Sequence, residues 1–225
     1  MVRLPRLYAI ADAEVLLRRG MGLREFVHGL RAAGVALVQW RDKAGSPQEV
    51  LREAAVVREV FAGSGATLIM NDRADLAVLA GFDGVHVGQG DLSAEDAKAV
   101  VLRTIPHPSQ GREGWATRSG GLVGVSTHTE AQVVAAEAGA ADYVAIGPVF
   151  ATGTKLDAAA VVGLGGVRRA QALTGKPLVA IGGITRANAR SVIEAGADSV
   201  AVISGMFGVG ETVEQVARDF LEILG

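Results

Sequence analysis

Two aspartates hold the clearest chemical promise in this chain. Asp72 ends the stretch L-I-M-N-D (68–72), and Asp91 ends G-V-H-V-G-Q-G-D (84–91). Each stretch is a short apolar run that breaks into polar residues, as a strand does on reaching the rim of a sheet. A hard cation such as Mg²⁺ takes oxygen ligands, keeps several waters and bridges one or two carboxylates to substrate phosphates. Aspartates just past the ends of successive strands would suit such an ion. Asp is also common in turns and at helix N-caps, and Asp91 precedes Leu92 and Ser93, where a helix can begin. The pair alone leaves both readings open.

A second group lies in Q-W-R-D-K (39–43). Gln39, Arg41 and Lys43 sit at i, i+2 and i+4, so an extended chain points all three to one face. Two cations and an amide make poor core. They make a good phosphate grip, Arg by its bidentate fork and Lys as a point charge. A solvated loop beginning at Arg41 accounts for the cations equally well. Gly182-Gly183 and Ser204-Gly205 follow the last two apolar runs. In a barrel, the loops after strands 7 and 8 and a short extra helix offer backbone N–H groups to a phosphate. Thr152-Gly153-Thr154-Lys155 adds two hydroxyls, flexible backbone and a cation. His86 lies inside an apolar run and His128 opens a helix; for both, a structural role is preferred to acid–base work.

These residues need elements to position them. Strands are expected at Leu7–Ala11, Ala36–Trp40, Thr67–Met70, Gly84–Val87, Leu122–Val125, Tyr143–Ile146, Leu178–Ile181 and Ser199–Ile203. Helical spacing of apolar residues separates them, as in Leu23–Ala33 with Phe26, Val27 and Leu30, or in the helix opened by Ser46-Pro47 and Glu49. Apolar runs between helices suit strands buried on both faces. The expected fold is α/β, a parallel eight-stranded (β/α)8 TIM barrel. The runner-up, an open doubly wound sheet, is disfavoured because no G-x-G-x-x-G turn follows the first strand. A single barrel domain spanning 1–225 is expected, with a flexible insertion at 103–121. That stretch follows a helix and precedes a strand, which puts it at the rim away from the site, His107 included.

Composition narrows the function. A net charge of −2 with no long basic run argues against bulk nucleic-acid binding. Only 4% of residues are aromatic, so base-stacking platforms are scarce. Cysteine is absent, which removes disulfides and thiolate metal sites. The N-terminal apolar run is too short for a signal or a membrane span, and nowhere do about 18 apolar residues run unbroken. The expectation is a cytoplasmic protein acting on small phosphorylated molecules, with no nucleic-acid or membrane partner. Its oligomeric state is left open, a homo-oligomer included.

With these motifs in hand, the chain resembles the thiamine-phosphate synthase family of (β/α) barrels. The likeness runs from Leu7 to about Phe207. It rests on Q-W-R-D-K, M-N-D-R-A-D-L-A, G-V-H-V-G-Q-G-D-L, G-V-S-T-H-T, D-Y-V-A-I-G-P-V-F-A-T-G-T-K, I-G-G-I and V-A-V-I-S, in that order. The resemblance implies condensation of hydroxymethylpyrimidine pyrophosphate with hydroxyethylthiazole phosphate, giving thiamine phosphate and pyrophosphate. By motif, it implies that Asp72 and Asp91 bind Mg²⁺. Gln39, Arg41, Lys43, Asn71, Ser126 and Lys155 would hold the pyrimidine pyrophosphate. Thr152, Thr154, Gly183, Ile203 and Ser204 would hold the thiazole phosphate. Arg41, Lys43, Ser126 and Lys155 would carry catalysis. The family mechanism is dissociative, with the pyrophosphate leaving first and the thiazole nitrogen capturing the pyrimidine methylene cation. The chain departs from the family pattern at 103–121, which is long, at Trp40, where a smaller residue is usual, and after Lys155. Two other readings remain: a thiazole tautomerase on the same barrel, and a non-catalytic phosphate-ligand barrel.

Overall fold

The computed structural model describes residues 3–104, 121–153 and 160–225. Eight strands close into one all-parallel barrel in sequence order: β1 (Leu7–Asp12), β2 (Leu37–Arg41), β3 (Thr67–Asn71), β4 (Gly84–Val87), β5 (Leu122–Thr127), β6 (Tyr143–Ile146), β7 (Leu178–Ile181) and β8 (Ser199–Val202). β8 pairs back onto β1, with Leu7 opposite Val200 and Ala9 opposite Val202. Around it lie α1 (Ala13–Arg19), α2 (Leu23–Ala33), α3 (Pro47–Val60), α4 (Ala74–Ala80), α5 (Ala94–Thr104), α6 (Glu130–Ala138), α7 (Gly163–Leu173), α8 (Ala189–Glu194) and α9 (Val213–Leu224).

The two-residue period of the strands creates two separate cores. Alternate residues such as Ala9, Val38, Trp40, Met70, Val123 and Val144 face outward and pack beneath the helices. The residues between them, among them Tyr8, Ile10, Leu37, Ile69, Tyr143 and Val179, fill the lumen. Trp40 therefore belongs to the outer layer, away from its neighbours Gln39 and Arg41, which line a cavity in the barrel mouth. The lumen is side-chain packed at its floor and turns polar toward the C-terminal ends of the strands, which is where the sequence puts its chemistry.

Most element ends follow the expected signals. Ser46 and Glu49 form a reciprocal capping box with Pro47 at the first helical position. Three differences matter for the site. α1, a two-turn helix, is not expected from the sequence, because seven residues are too few to establish a helical period. β5 continues through Ser126 to Thr127, which carries Ser126 on the strand itself. β8 stops at Val202; Ile203 leaves the strand and a short 3-10 helix, Ser204–Met206, follows. The insertion expected at 103–121 lies, apart from its ends, outside the described residues.

Candidate active site

The C-terminal strand ends converge on one mouth. Gln39, Arg41, Asn71, His86, Ser126 and Ile203 all line a cavity of about 30 Å³ at its centre. β2 delivers Gln39 and Arg41 to one face, as the alternation requires. Lys43 lies past the strand end but returns to the same rim, with its Nζ 3.1 Å from an Asp72 carboxylate oxygen.

Asp72 is held there by its backbone. It has φ 60°, making it the one described non-glycine residue with a left-handed backbone, and its N–H donates to the His86 carbonyl at 2.7 Å. Asp tolerates this region because its short side chain bonds locally. The Asp72 carboxylate lies close enough to Asp91 for the two to influence each other. Asp91 is fixed from its own side by the Gly88 N–H, which donates to its Oδ2 at 2.8 Å. Burial pushes the Asp72 carboxyl above the usual range; the hydrogen bond and charge of Asp91 add to this, and Lys43 opposes it. Two adjoining carboxylates served by one lysine want either a proton or a further cation between them.

That geometry fits Mg²⁺. The donor atoms are hard carboxylate oxygens on facing loops. Among the described residues, no cluster of three or more His, Asp or Glu side chains forms a complete metal site. Asp72 and Asp91 would supply only a partial shell, of the kind Mg²⁺ completes with water and substrate oxygens.

Arg41 is anchored by a residue that sequence reasoning missed. Its guanidinium pairs with Asp12, whose side chain is almost fully buried. The same Asp12 carboxylate caps α1 by accepting from the Val15 N–H at 2.9 Å. A signal was present, since Asp12 ends an apolar run just as Asp72 and Asp91 do, but its partner could be found only from the pairing of β1 with β2, which sets Asp12 opposite Arg41.

The other side of the mouth is built differently. Gly183 has φ 64°, and a Cβ there would lie 2.6 Å from the Ala151 carbonyl. Glycine therefore permits the loop after β7 to lie against the loop after β6, to which it is laced by the Val149 and Phe150 N–H groups donating to Ile181 and Gly182 carbonyls. Ser204 opens the 3-10 helix, and with Gly153 it faces Val15, Arg18 and Arg19 of α1 across a depression of about 310 Å³ that has no carboxylate among the described residues lining it. Arg19 also lies over the Phe207 ring, 5.4 Å from its centroid. Thr152 is described and half-buried on the same loop. Thr154 and Lys155 fall outside the described residues.

Both histidines are committed. His128 Nδ1 donates to the Gly147 carbonyl at 2.6 Å. His86 is buried and bonded through both ring nitrogens, to Tyr143 and to Ser126.

A model of the family described as thiamine monophosphate synthase matches residues 7–105 and 115–206. A thiamine-phosphate synthase of Koribacter versatilis (strain Ellin345) is 47% identical over 99% of this chain and 97% of its own. One of Chloroflexus aurantiacus is 39% identical over 89% of this chain and 84% of its own. Among solved structures, thiamine phosphate pyrophosphorylase from Pyrococcus furiosus superposes with a TM-score of 0.79 at 29% identity, covering 97% of this chain and 95% of that one. With a family match across nearly the whole barrel, and relatives this similar over nearly their full length, the chain belongs to the thiamine monophosphate synthase family of transferases.

Proposed function

We propose that this protein condenses hydroxymethylpyrimidine pyrophosphate with hydroxyethylthiazole phosphate, releasing pyrophosphate and forming thiamine phosphate. The observation that carries the reading is the Asp72–Asp91 pair with Lys43 beside it and the Arg41 guanidinium at the same mouth. The reaction has no need of a protein nucleophile. Its difficulty is charge, because the C–O bond to the pyrophosphate breaks as the pyrimidine methylene carbon becomes cationic. Arg41 and Lys43 neutralise the departing diphosphate; Lys155, outside the described residues, is proposed from its motif to join them. Asp12 holds the Arg41 fork in place. Asn71, whose buried amide nitrogen has no hydrogen-bond partner among the described residues, and Ser126 line the small central cavity at whose opening the pyrimidine would sit. Gln39 packs beneath them. Thr152, Thr154, Gly183, Ile203 and Ser204 hold the acceptor phosphate and bring the thiazole nitrogen to the cationic carbon, a gain of positioning.

Asp72 and Asp91 would hold Mg²⁺, which when bound supplies further charge neutralisation to the pyrophosphate. A thiazole tautomerase would give this acid pair no task, and a binding module would leave the acids and cations of the rim unexplained. The protein is proposed to work in the cytoplasm. Among the described residues, no helix is long and apolar enough to span a membrane.

The test is direct. Purified protein is mixed with both phosphorylated heterocycles, with and without Mg²⁺, and pyrophosphate and thiamine phosphate are measured. Stoichiometric formation of both products only with Mg²⁺ supports the reading; tight binding of either heterocycle without turnover contradicts it.

A further inference from the structure

Beneath the mouth, five polar side chains from five different strands form one continuous hydrogen-bonded line through the apolar lumen. Gln39 Nε2 donates to Tyr8 Oη at 2.7 Å. Tyr8 Oη lies 3.0 Å from Tyr143 Oη. Tyr143 Oη lies 3.1 Å from His86 Nδ1, and His86 Nε2 lies 2.8 Å from Ser126 Oγ. The line is built into the fold. Register places His86 opposite Gly124 and Gly124 opposite Tyr143. A Cβ on Gly124 would sit 2.0 Å from Tyr143 Cζ, so the absent side chain on β5 is what lets the tyrosine ring cross that strand and stack on His86, centroids 5.6 Å apart.

A line of this kind has a direction. The amide of Gln39 donates to the Tyr8 oxygen; either phenol can donate in the next bond, and a relay toward Ser126 requires that Tyr8 give its proton to Tyr143. Tyr143 in turn gives its proton to His86 Nδ1. The imidazole then carries its proton on Nε2 and gives it to Ser126 Oγ, which leaves the Ser126 proton to turn into the cavity. Both phenols are fully buried, which keeps them protonated and able to relay a donor in this way. The same cavity already receives Arg41 and the unpartnered Asn71 amide nitrogen, both donors. The lining thus becomes an array of donors, suited to the acceptor atoms of a pyrimidine ring and its pyrophosphate.

We propose that Gln39, Tyr8, Tyr143 and His86 form a one-way hydrogen-bond relay that fixes His86 as the Nε2–H tautomer and presents the Ser126 hydroxyl to the substrate as a donor. Tyr8, Tyr143 and His86 are then positioning residues, acting only through Ser126. The inference rests on the proposed function for its kinetic consequence, but not for the tautomer.

Two measurements test it. In ligand-free protein labelled with ¹⁵N-histidine, His86 is assigned by its loss in His86→Asn. The relay predicts a protonated Nε2 and an acceptor Nδ1; a protonated Nδ1 overturns the stated direction, whatever the protein's activity. The second is a double-mutant cycle. Tyr143→Phe in the native background should lower kcat/KM for the pyrimidine substrate about tenfold, the scale of one buried hydrogen bond. In the Ser126→Ala background the same change should cost less than about twofold, because the relay no longer has an end to position. Equal losses in both backgrounds would show a structural role and overturn the proposal. If native protein makes no thiamine phosphate, the proposed function fails while the tautomer measurement still decides the relay.

Discussion

The two halves of the barrel mouth, each proposed to hold a phosphate, are built in opposite ways. The half formed by the ends of β1 to β4 is crowded with charge of both signs: Asp12 with Arg41, and Asp72 with Lys43 and Asp91. The half formed by the ends of β6 to β8 offers glycine turns, a serine at a 3-10 helix and two facing arginines, with no carboxylate among the described residues of the depression they line. Carboxylates repel a phosphate unless a cation lies between. Their presence on one side, and their absence from the described lining of the depression on the other, suit a cation-bridged phosphate and a directly bound one. A diphosphate that must leave benefits from the first arrangement, and a monophosphate that is only an anchor needs no more than the second.

The most damaging change should be Asp91→Ala. Its loss would leave Asp72 without its proposed fellow ligand, and turnover should fall about 100-fold or more, by the scale of metal-assisted charge stabilisation. Because Asp91 is exposed, the melting temperature should hold. Near-native turnover in that variant would remove the cation from the charged half.

Asp12→Ala should come next, and it strikes stability as well as rate. It strands a mostly buried guanidinium and uncaps α1. Losing one partner of such a pair costs about 3 kcal/mol, readable by urea unfolding. An unchanged midpoint would show that Arg41 is solvated rather than anchored.

On the other half, Gly183→Ala should raise KM for the thiazole phosphate roughly tenfold, by the cost of forcing a Cβ into a left-handed turn packed on Ala151. KM for the pyrimidine substrate should stay within about twofold. Equal effects on both would erase the division between the halves.

The charged half should also respond to pH in a defined sense. Asp72 has a raised pKa in the free protein, mainly from burial, so it stays protonated over part of the range in which an ordinary aspartate is ionised. Protons then compete with the cation, and Mg²⁺ affinity should fall as pH drops toward and through that raised value. A carboxylate that is harder to ionise folded than unfolded also opposes folding once the pH exceeds its unfolded value. Asp72→Asn should therefore keep or raise the melting temperature above that pH while losing activity. A lower melting temperature would mean that Lys43 pairing outweighs burial.

The smallest effect is expected from deleting 106–114, the residues between the two matched parts of the family model. Turnover should stay within about twofold, on the expectation that in a (β/α)8 barrel a helix-to-strand connection runs at the rim opposite the site. A large loss in a folded variant would place that segment at the mouth.

The contrast between the halves also explains what could be read from the chain without its fold. Eight apolar runs separated by helical periods were enough to expect the barrel, and the charged rim was legible because charge resides in side chains that a sequence displays. Asp72, Asp91, Arg41 and Lys43 stand out as letters. The second half was legible only as glycine pairs, since its binding groups are backbone N–H donors. What the sequence hid were the partnerships across strands. Asp12 looked like a strand end until β1 pairing set it opposite Arg41. Tyr8 and Tyr143 looked like ordinary members of apolar runs, because an aromatic ring in a strand does not say whether it faces the lumen or the helices. α1 was missed for its brevity. Thr154 and Lys155 were named from their loop motif and lie outside the described residues.

The central claim is that Asp72 and Asp91 together hold a divalent cation against a diphosphate. Electron paramagnetic resonance of Mn²⁺ titrated into the protein with pyrophosphate present measures this without any turnover. The account predicts one tightly bound Mn²⁺ in the native protein, strongly dependent on pyrophosphate and lost in both Asp72→Asn and Asp91→Asn. Binding that survives both substitutions unchanged would contradict it.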